Sequence, residues 1–289
     1  MHRESTITTG PRGLGLRCCH FGRGGTRPLV LLHGFLEQGL SWRLVAPFLR
    51  RASIAPDQRG FGLSDHIGAG GGYHFWDYVG DLTALVDHVG GPIDLVGHSM
   101  GGTIAALFAA TRPDAVRTLV LVEGLGPPDS RAMAVPRAAK FLAERLTPPT
   151  HRSLRDLEDA TSRIRRWNPQ LSQSFARDLA ARVTRPIREG DPQVRFPATG
   201  SLRWTWDPLH RGKSPTPFDS VLFRTMLHHI TAPTLLVDGA RSNYIPEDRA
   251  ERQAAIPTVE RVLVDDAGHM VHYDAPERLG RLILGHVGD

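Results

Sequence analysis

The sequence predicts an α/β protein built on a mostly parallel sheet. Three observations carry that expectation: short apolar runs alternate with helical patterns at both ends of the chain, the alternation stops between residues 125 and 228, and a serine flanked by glycines sits where one apolar run passes directly into a helix.

The elements follow in order. Pro28–His33 (PLVLLH) reads as a strand covered on both faces. Ser41–Arg51 reads as a helix capped by Ser41, with Leu44, Val45, Phe48 and Leu49 on one side. Ala52–Pro56 is a short strand. Phe75–Val89 repeats Tyr78, Val79, Leu82, Leu85, Val86 and Val89 at helical spacing, and Gly90-Gly91-Pro92 ends it. Pro92–Val96 is a strand, Met100–Ala110 a helix apolar nearly all round, and Thr118–Val122 the next strand. The stretch 125–228 holds 12 of the 22 prolines and three of the five tryptophans. Its helical pieces are 132–146, 154–166 and 172–182, with no convincing strand, so it reads as a helical insertion. Alternation resumes with a strand at Pro233–Val237, a helix at 247–255, a strand at Val259–Val264 and a final helix at 276–286.

Composition narrows the class. The chain has 289 residues, 40% hydrophobic and 22% charged, enough to bury a core. No apolar run approaches the roughly 18 residues of a membrane span, and the N-terminus lacks the apolar stretch of a secretory signal. The formal charge is +5, yet lysine occurs only at Lys140 and Lys213 and the arginines are scattered beside acids. That pattern points to a solvated surface and away from nucleic acid. The densest patch is Arg163, Arg165 and Arg166. The two cysteines are the neighbours Cys18 and Cys19, which in an extended segment point to opposite faces and pair poorly. They suggest a reducing compartment, the cytoplasm, and no cysteine metal site.

Gly97-His98-Ser99-Met100-Gly101 is the strongest chemical signal. It fits G-x-S-x-G between a strand and a helix, the context in which a tight turn holds a nucleophilic hydroxyl out at the sheet edge. His33-Gly34-Phe35 follows the first clear parallel strand, where a loop can supply one backbone N–H to an oxyanion while the residue after the nucleophile supplies another. Phe35 and Met100 are the candidates. His269, in Ala-Gly-His-Met after the last strand, is the candidate general base.

On these residues the chain resembles the α/β-hydrolase fold family. The resemblance rests on His33-Gly34-Phe35, Asp57-Gln58-Arg59-Gly60-Phe61-Gly62-Leu63-Ser64-Asp65, Gly97 to Gly102, and Ala267-Gly268-His269. Asn168 to Ser172 and Arg203 to Pro208 further resemble serine hydrolase-like proteins. The resemblance implies an eight-stranded, mostly parallel sheet and a helical cap inserted after strand six. The expected division is a core of 1–124 and 229–289 and a cap of 125–228. It implies the chain order serine, acid, histidine. Many relatives carry the acid three residues after the glycine ending strand seven, where this chain has Ser242. Glu123, ending strand six beside the nucleophile strand, is the leading substitute, since a charge at the end of Leu119–Val122 needs a partner. Asp238 is the alternative, with Asp248 a more distant one, and a salt bridge from Glu123 to an arginine of the insertion is the structural reading. The stretch 57–65 is expected to shape the rim near the oxyanion loop, and His272 to make a cap or loop contact. Trp167, Phe175, Phe196, Trp204, Trp206 and Phe218 are expected mainly in the cap's own core.

The function expected is a cofactor-independent serine hydrolase acting on a small-molecule carboxylic ester or related acyl compound through an acyl-Ser99 intermediate, with Ser99, His269 and Glu123 catalytic. Ser99 argues against epoxide-hydrolase or dehalogenase chemistry, in which relatives place Asp at the nucleophile. A carbon–carbon bond hydrolase, lyase or perhydrolase on the same residues, or a non-catalytic ligand-binding homologue, are the alternatives. No cofactor, metal, nucleic acid or membrane span is expected, and the oligomeric state is open.

Overall fold

The computed structural model describes residues 2–9, 13–24, 29–68, 71–195 and 201–288. Eight strands form one sheet: β1 (Arg3–Thr9), β2 (Leu14–Phe21), β3 (Leu29–Leu32), β4 (Ser53–Pro56), β5 (Ile93–His98), β6 (Val116–Val122), β7 (Thr234–Gly239) and β8 (Val259–Val264). Their order is β1-β2-β4-β3-β5-β6-β7-β8. The pairs β1/β2 and β2/β4 are antiparallel, and all five others are parallel. This is the α/β-hydrolase fold that the motifs anticipate. The strands β1 and β2 carry no strong sequence signal and were not anticipated.

Side-chain alternation explains why the central strands are apolar throughout. Cys18, Val30, Leu32, Leu95, Leu119 and Leu121 enter one apolar cluster, while Cys19, Leu29, Leu31, Val96, Val120 and Val122 enter the other. The helices Phe75–Val89 and Met100–Thr111 cover the first face. The helix Pro276–Val287 covers the second through Leu279, Ile283 and Val287. Cys18 and Cys19 are free, fully buried and on opposite layers, and burial pushes each thiol up to about 12.

The expected helix at 41–51 is split into a 3₁₀ turn, Gly39–Leu44, and one α-turn, Ala46–Leu49. Pro47, in the first turn of Ala46–Leu49, has no N–H to carry a helix on from the 3₁₀ turn, and Arg50 ends the segment in left-handed geometry, φ 51°. Pro28 and Phe196 lie outside the described residues.

Between β6 and β7 the chain forms helices Ala134–Leu146, Leu157–Trp167 and Gln173–Arg182. Asp156 caps the second through Asp159 N and Ser172 the third through Phe175 N. Contrary to the strandless expectation, two small sheets occur here. Leu202–Trp204 pairs with Thr184–Pro186, and His151–Arg152 with Val194–Arg195. The helix Ser220–Leu227, inside the stretch expected as cap, packs instead with the core layer through Phe223 and Leu227.

Two buried contacts stand out among those that hold the insertion to the core. Arg182 is 8% exposed and reaches Glu4 (2.8 Å), Gln38 (2.6 Å) and Asp57 (2.9 Å). His210 stacks on Phe61, with ring centroids 3.7 Å apart. Phe175 is buried and Trp204, Trp206 and Phe218 pack against apolar clusters, but Trp167 is 83% exposed and outside any core. Of the arginine patch, Arg163 pairs with Asp159 (3.0 Å) and Arg165 donates to Leu171 O (3.2 Å) and Gln173 (3.0 Å).

Candidate active site

Sheet register brings the site together. His98 of β5 lies opposite Val122 of β6, and Val122 opposite Val237 of β7. The residues that follow, Ser99, Glu123 and Asp238, therefore sit at the same carboxyl edge, where ligands bind in open parallel sheets. Ser99 has φ 51° and ψ −115°, a strained conformation for a residue with a Cβ. Glycines permit it. A Cβ on Gly97 would stand 2.3 Å from Gly101 O, and one on Gly101 2.6 Å from Leu32 O and His33 O. The strand-to-helix turn is thus clamped against the end of β3.

His269 Nε2 lies 2.9 Å from Ser99 Oγ, and His269 Nδ1 lies 3.0 Å from Glu123 Oε2. Glu123 itself turns with φ 52°, and its backbone N–H donates to Val237 O at 2.9 Å. Its carboxylate is 2% exposed and accepts from Gly239 N (2.7 Å) and Ser242 Oγ (2.6 Å). Burial alone would raise its pKa, but the hydrogen bonds from His269, Ser242 and Gly239 outweigh burial and hold the carboxyl below its usual range. With Glu123 ionised and accepting at Nδ1, the imidazole presents a bare Nε2 to the serine hydroxyl.

The alternative acid stands elsewhere. Asp238 is buried against Arg249 and against Arg261 Nε at 2.9 Å, so two guanidinium groups occupy it and it does not reach His269. Nor does Glu123 pair with an arginine of the insertion: its partners are His269, Ser242 and Gly239. Asp248 instead pairs with Arg252 at 2.7 Å. Ser242, where the resemblance leads one to look for the carboxylate, donates to the one that is present.

The loop after β3 is held by its own residues. His33 Nδ1 donates to Gly34 O (2.7 Å), leaving Nε2 to accept from Gln58 N (2.9 Å), while Gln58 Nε2 donates to His33 O (2.7 Å). Burial lowers the His33 pKa, which keeps this ring neutral. The stretch 57–65 accordingly shapes the rim: Asp57, fully buried, accepts from Gly39 and Leu63 N–H groups and pairs with Arg182. Phe35 and Met100 flank the Ser99 turn from this loop and from the first turn of the helix, and neither N–H has an acceptor among the described residues.

Two features escape the sequence, which leaves a third open between two readings. Gly102 and Gly124 meet backbone to backbone, where a Cβ on Gly102 would lie 2.5 Å from Gly124 Cα. That contact sets the spacing between the serine and the Glu123 strand. His98 and Glu37 form a second imidazole–carboxylate pair at 2.8 Å. His272 contacts the loop and not the cap, placing Nε2 2.8 Å from Glu37 Oε1. The signal available was Glu37 itself, a carboxylate three residues beyond Gly34 and directly after Phe35-Leu36. Glu37, His98 and His272, and separately His2, Glu4 and Cys19, have donor sets a metal ion could use, with ligand atoms within 4.8 Å. In the first group the carboxylate already takes both rings as hydrogen-bond donors.

Comparison with known proteins agrees with this architecture. A family model described as alpha/beta hydrolase fold matches residues 27–276. An epoxide hydrolase 2 of Siraitia grosvenorii is 40% identical over 122 residues, which is 40% of this chain and only 37% of that relative's length. A serine hydrolase-like protein of Danio rerio is 28% identical over 173 residues, 57% of this chain and 53% of the relative. Among solved structures, a thioesterase domain from the curacin biosynthetic pathway superposes with a TM-score of 0.85 at 31% identity, covering 98% of this chain and 99% of that domain. The family model spans β3 to β8 with the insertion, the superposition extends over nearly the whole chain, and the chain belongs to the alpha/beta hydrolase fold family.

Proposed function

We propose that the protein is a serine hydrolase that cleaves a carboxylic ester or related acyl compound, thioesters included, through an acyl-Ser99 intermediate. The observation that carries this reading is the 2.9 Å approach of His269 Nε2 to Ser99 Oγ, with Glu123 3.0 Å behind the ring. Ser99 Oγ attacks the acyl carbonyl carbon as its proton passes to His269 Nε2. The Phe35 and Met100 N–H groups receive the developing oxyanion. Collapse returns the His269 proton to the leaving alcohol or thiol. Water then repeats the sequence on the acyl-Ser99 ester, with His269 taking its proton, and releases the acid. Glu123 stays ionised throughout, holding the tautomer and stabilising the imidazolium.

The thioesterase resemblance supports acyl transfer to serine. The partial epoxide hydrolase match extends over less than two fifths of that relative and does not supply an aspartate at position 99. No described helix is long and apolar enough to cross a membrane, and the two free, buried cysteines fit a reducing compartment, so we read the protein as cytoplasmic. A fluorophosphonate probe is expected to label Ser99 in the wild type and not in His269→Ala, and p-nitrophenyl esters of graded acyl length are expected to turn over. Labelling that is absent, or indifferent to His269→Ala, overturns the mechanism. Labelling without ester turnover redirects it to carbon–carbon bond cleavage, lyase or perhydrolase chemistry on the same residues.

A further inference from the structure

We propose that His98 is a permanent imidazolium that positions the loop bearing His269. The proposal rests on the acyl-transfer reading of Ser99 and His269, and it follows from counting hydrogens. Glu37 Oε2 accepts from Gly34 N at 2.7 Å and lies 2.8 Å from His98 Nδ1. Glu37 Oε1 lies 2.8 Å from His272 Nε2. With Glu37 ionised, the ring nitrogens that face it, His98 Nδ1 and His272 Nε2, both carry hydrogen. The other nitrogen of His98, Nε2, lies 2.9 Å from the backbone carbonyl of His269, and a carbonyl only accepts. His98 therefore carries two protons. His272 Nδ1 has no partner among the described residues, so nothing there calls for a second proton. His98 and Glu37 thus form a buried ion pair, with His98 2% and Glu37 8% exposed.

The surroundings are consistent with this assignment. The groups facing the pair are His269, whose ring centroid lies 5.0 Å from that of His98, His272 at 4.4 Å, and Tyr273 against Glu37. Burial would raise the Glu37 carboxyl, but His272 and His98 hold it well below the usual carboxylate range. Gly34 makes the approach possible, since a Cβ there would stand 2.6 Å from Glu37 Oε2 and 2.7 Å from His98 Nδ1. A buried ion pair is retained at a desolvation cost unless every donor and acceptor is used, and here His98 uses both of its nitrogens. The network thus joins three loops: the one carrying Phe35, the turn carrying Ser99, and the one carrying His269. Glu37 also neutralises a charge that would otherwise oppose protonation of the neighbouring His269 ring during turnover.

Two variants divide the roles. His98→Gln leaves an amide donor at the place of Nε2, toward the His269 carbonyl. His98→Asn leaves one at the place of Nδ1, toward Glu37. If His98 acts through the His269 carbonyl, Gln retains kcat within about 10-fold while Asn loses about 100-fold, as expected for a reacting group displaced by about an ångström, with KM little changed in both. Equal losses, or a loss confined to KM, overturn the positioning role. In the wild type, ¹⁵N-detected histidine spectra at neutral pH are expected to show both His98 nitrogens protonated. A bare nitrogen overturns the imidazolium even if the variants do not fold. Because the spectra require no substrate, they decide the charge of His98 separately from whether Ser99 is the nucleophile.

Discussion

Two imidazole–carboxylate pairs lie side by side in this protein, with their rings 5.0 Å apart, and they are wired oppositely. In the Glu123–His269 pair the far nitrogen faces a hydroxyl, which gives or takes a proton, and the ring is 28% exposed. In the Glu37–His98 pair the far nitrogen faces a carbonyl, which only accepts, and the ring is buried. On the proposed reading, the same two side chains make a proton shuttle in one place and a fixed brace in the other. The difference lies in the third group, not in the histidine or the acid.

The largest test of that contrast removes one acid at a time. Glu123→Gln is expected to lower kcat by about 10³- to 10⁴-fold, because the amide no longer enforces the tautomer, while Asp238→Asn stays within about 3-fold. A comparable loss in both variants, measured with one p-nitrophenyl ester, would falsify the assignment of Glu123 as the orienting acid. The second test is stability against pH. Glu37 is depressed below its unfolded value, so its contribution is full above about pH 4.5 and is lost as pH falls through the native value. Wild type should therefore lose Tm on acidification below about pH 5, and Glu37→Gln should show a flatter acid limb over the same range. An unchanged limb would mean the pair carries no linkage. The smallest effect is expected at Ser242→Ala, which removes one donor to Glu123 and should cost about 3- to 10-fold in kcat, the net worth of one ordinary hydrogen bond. No loss would show that Gly239 N–H and His269 suffice to hold that carboxylate.

Much of the fold was legible because the central strands are buried on both faces and their helices are long and periodic. Phe75–Val89 and Val259–Val264 emerge at their expected boundaries. The glycine-flanked serine was legible because few other residue patterns tolerate φ 51° beside a close backbone contact. What stayed hidden depends on partners distant in sequence. β1 and β2 form an edge whose polar residues carry no strong period. The small sheets of the insertion are two or three residues long, below what alternation registers. Glu37, His98 and His272 are 61 and 235 residues apart along the chain from carboxylate to ring, and only the assembled sheet brings them together. Choosing Glu123 over Asp238 required knowing that Arg249 and Arg261 already occupy the latter.

Cys18 and Cys19 have a practical consequence of their own. Each is sealed in a different layer and resists ionisation, with burial pushing both thiols up to about 12. A disulfide-exchange reagent added to the native protein should therefore wait for a layer to open before it reacts, so its two rates become a pair of built-in clocks, one timing the breathing of each side of the sheet.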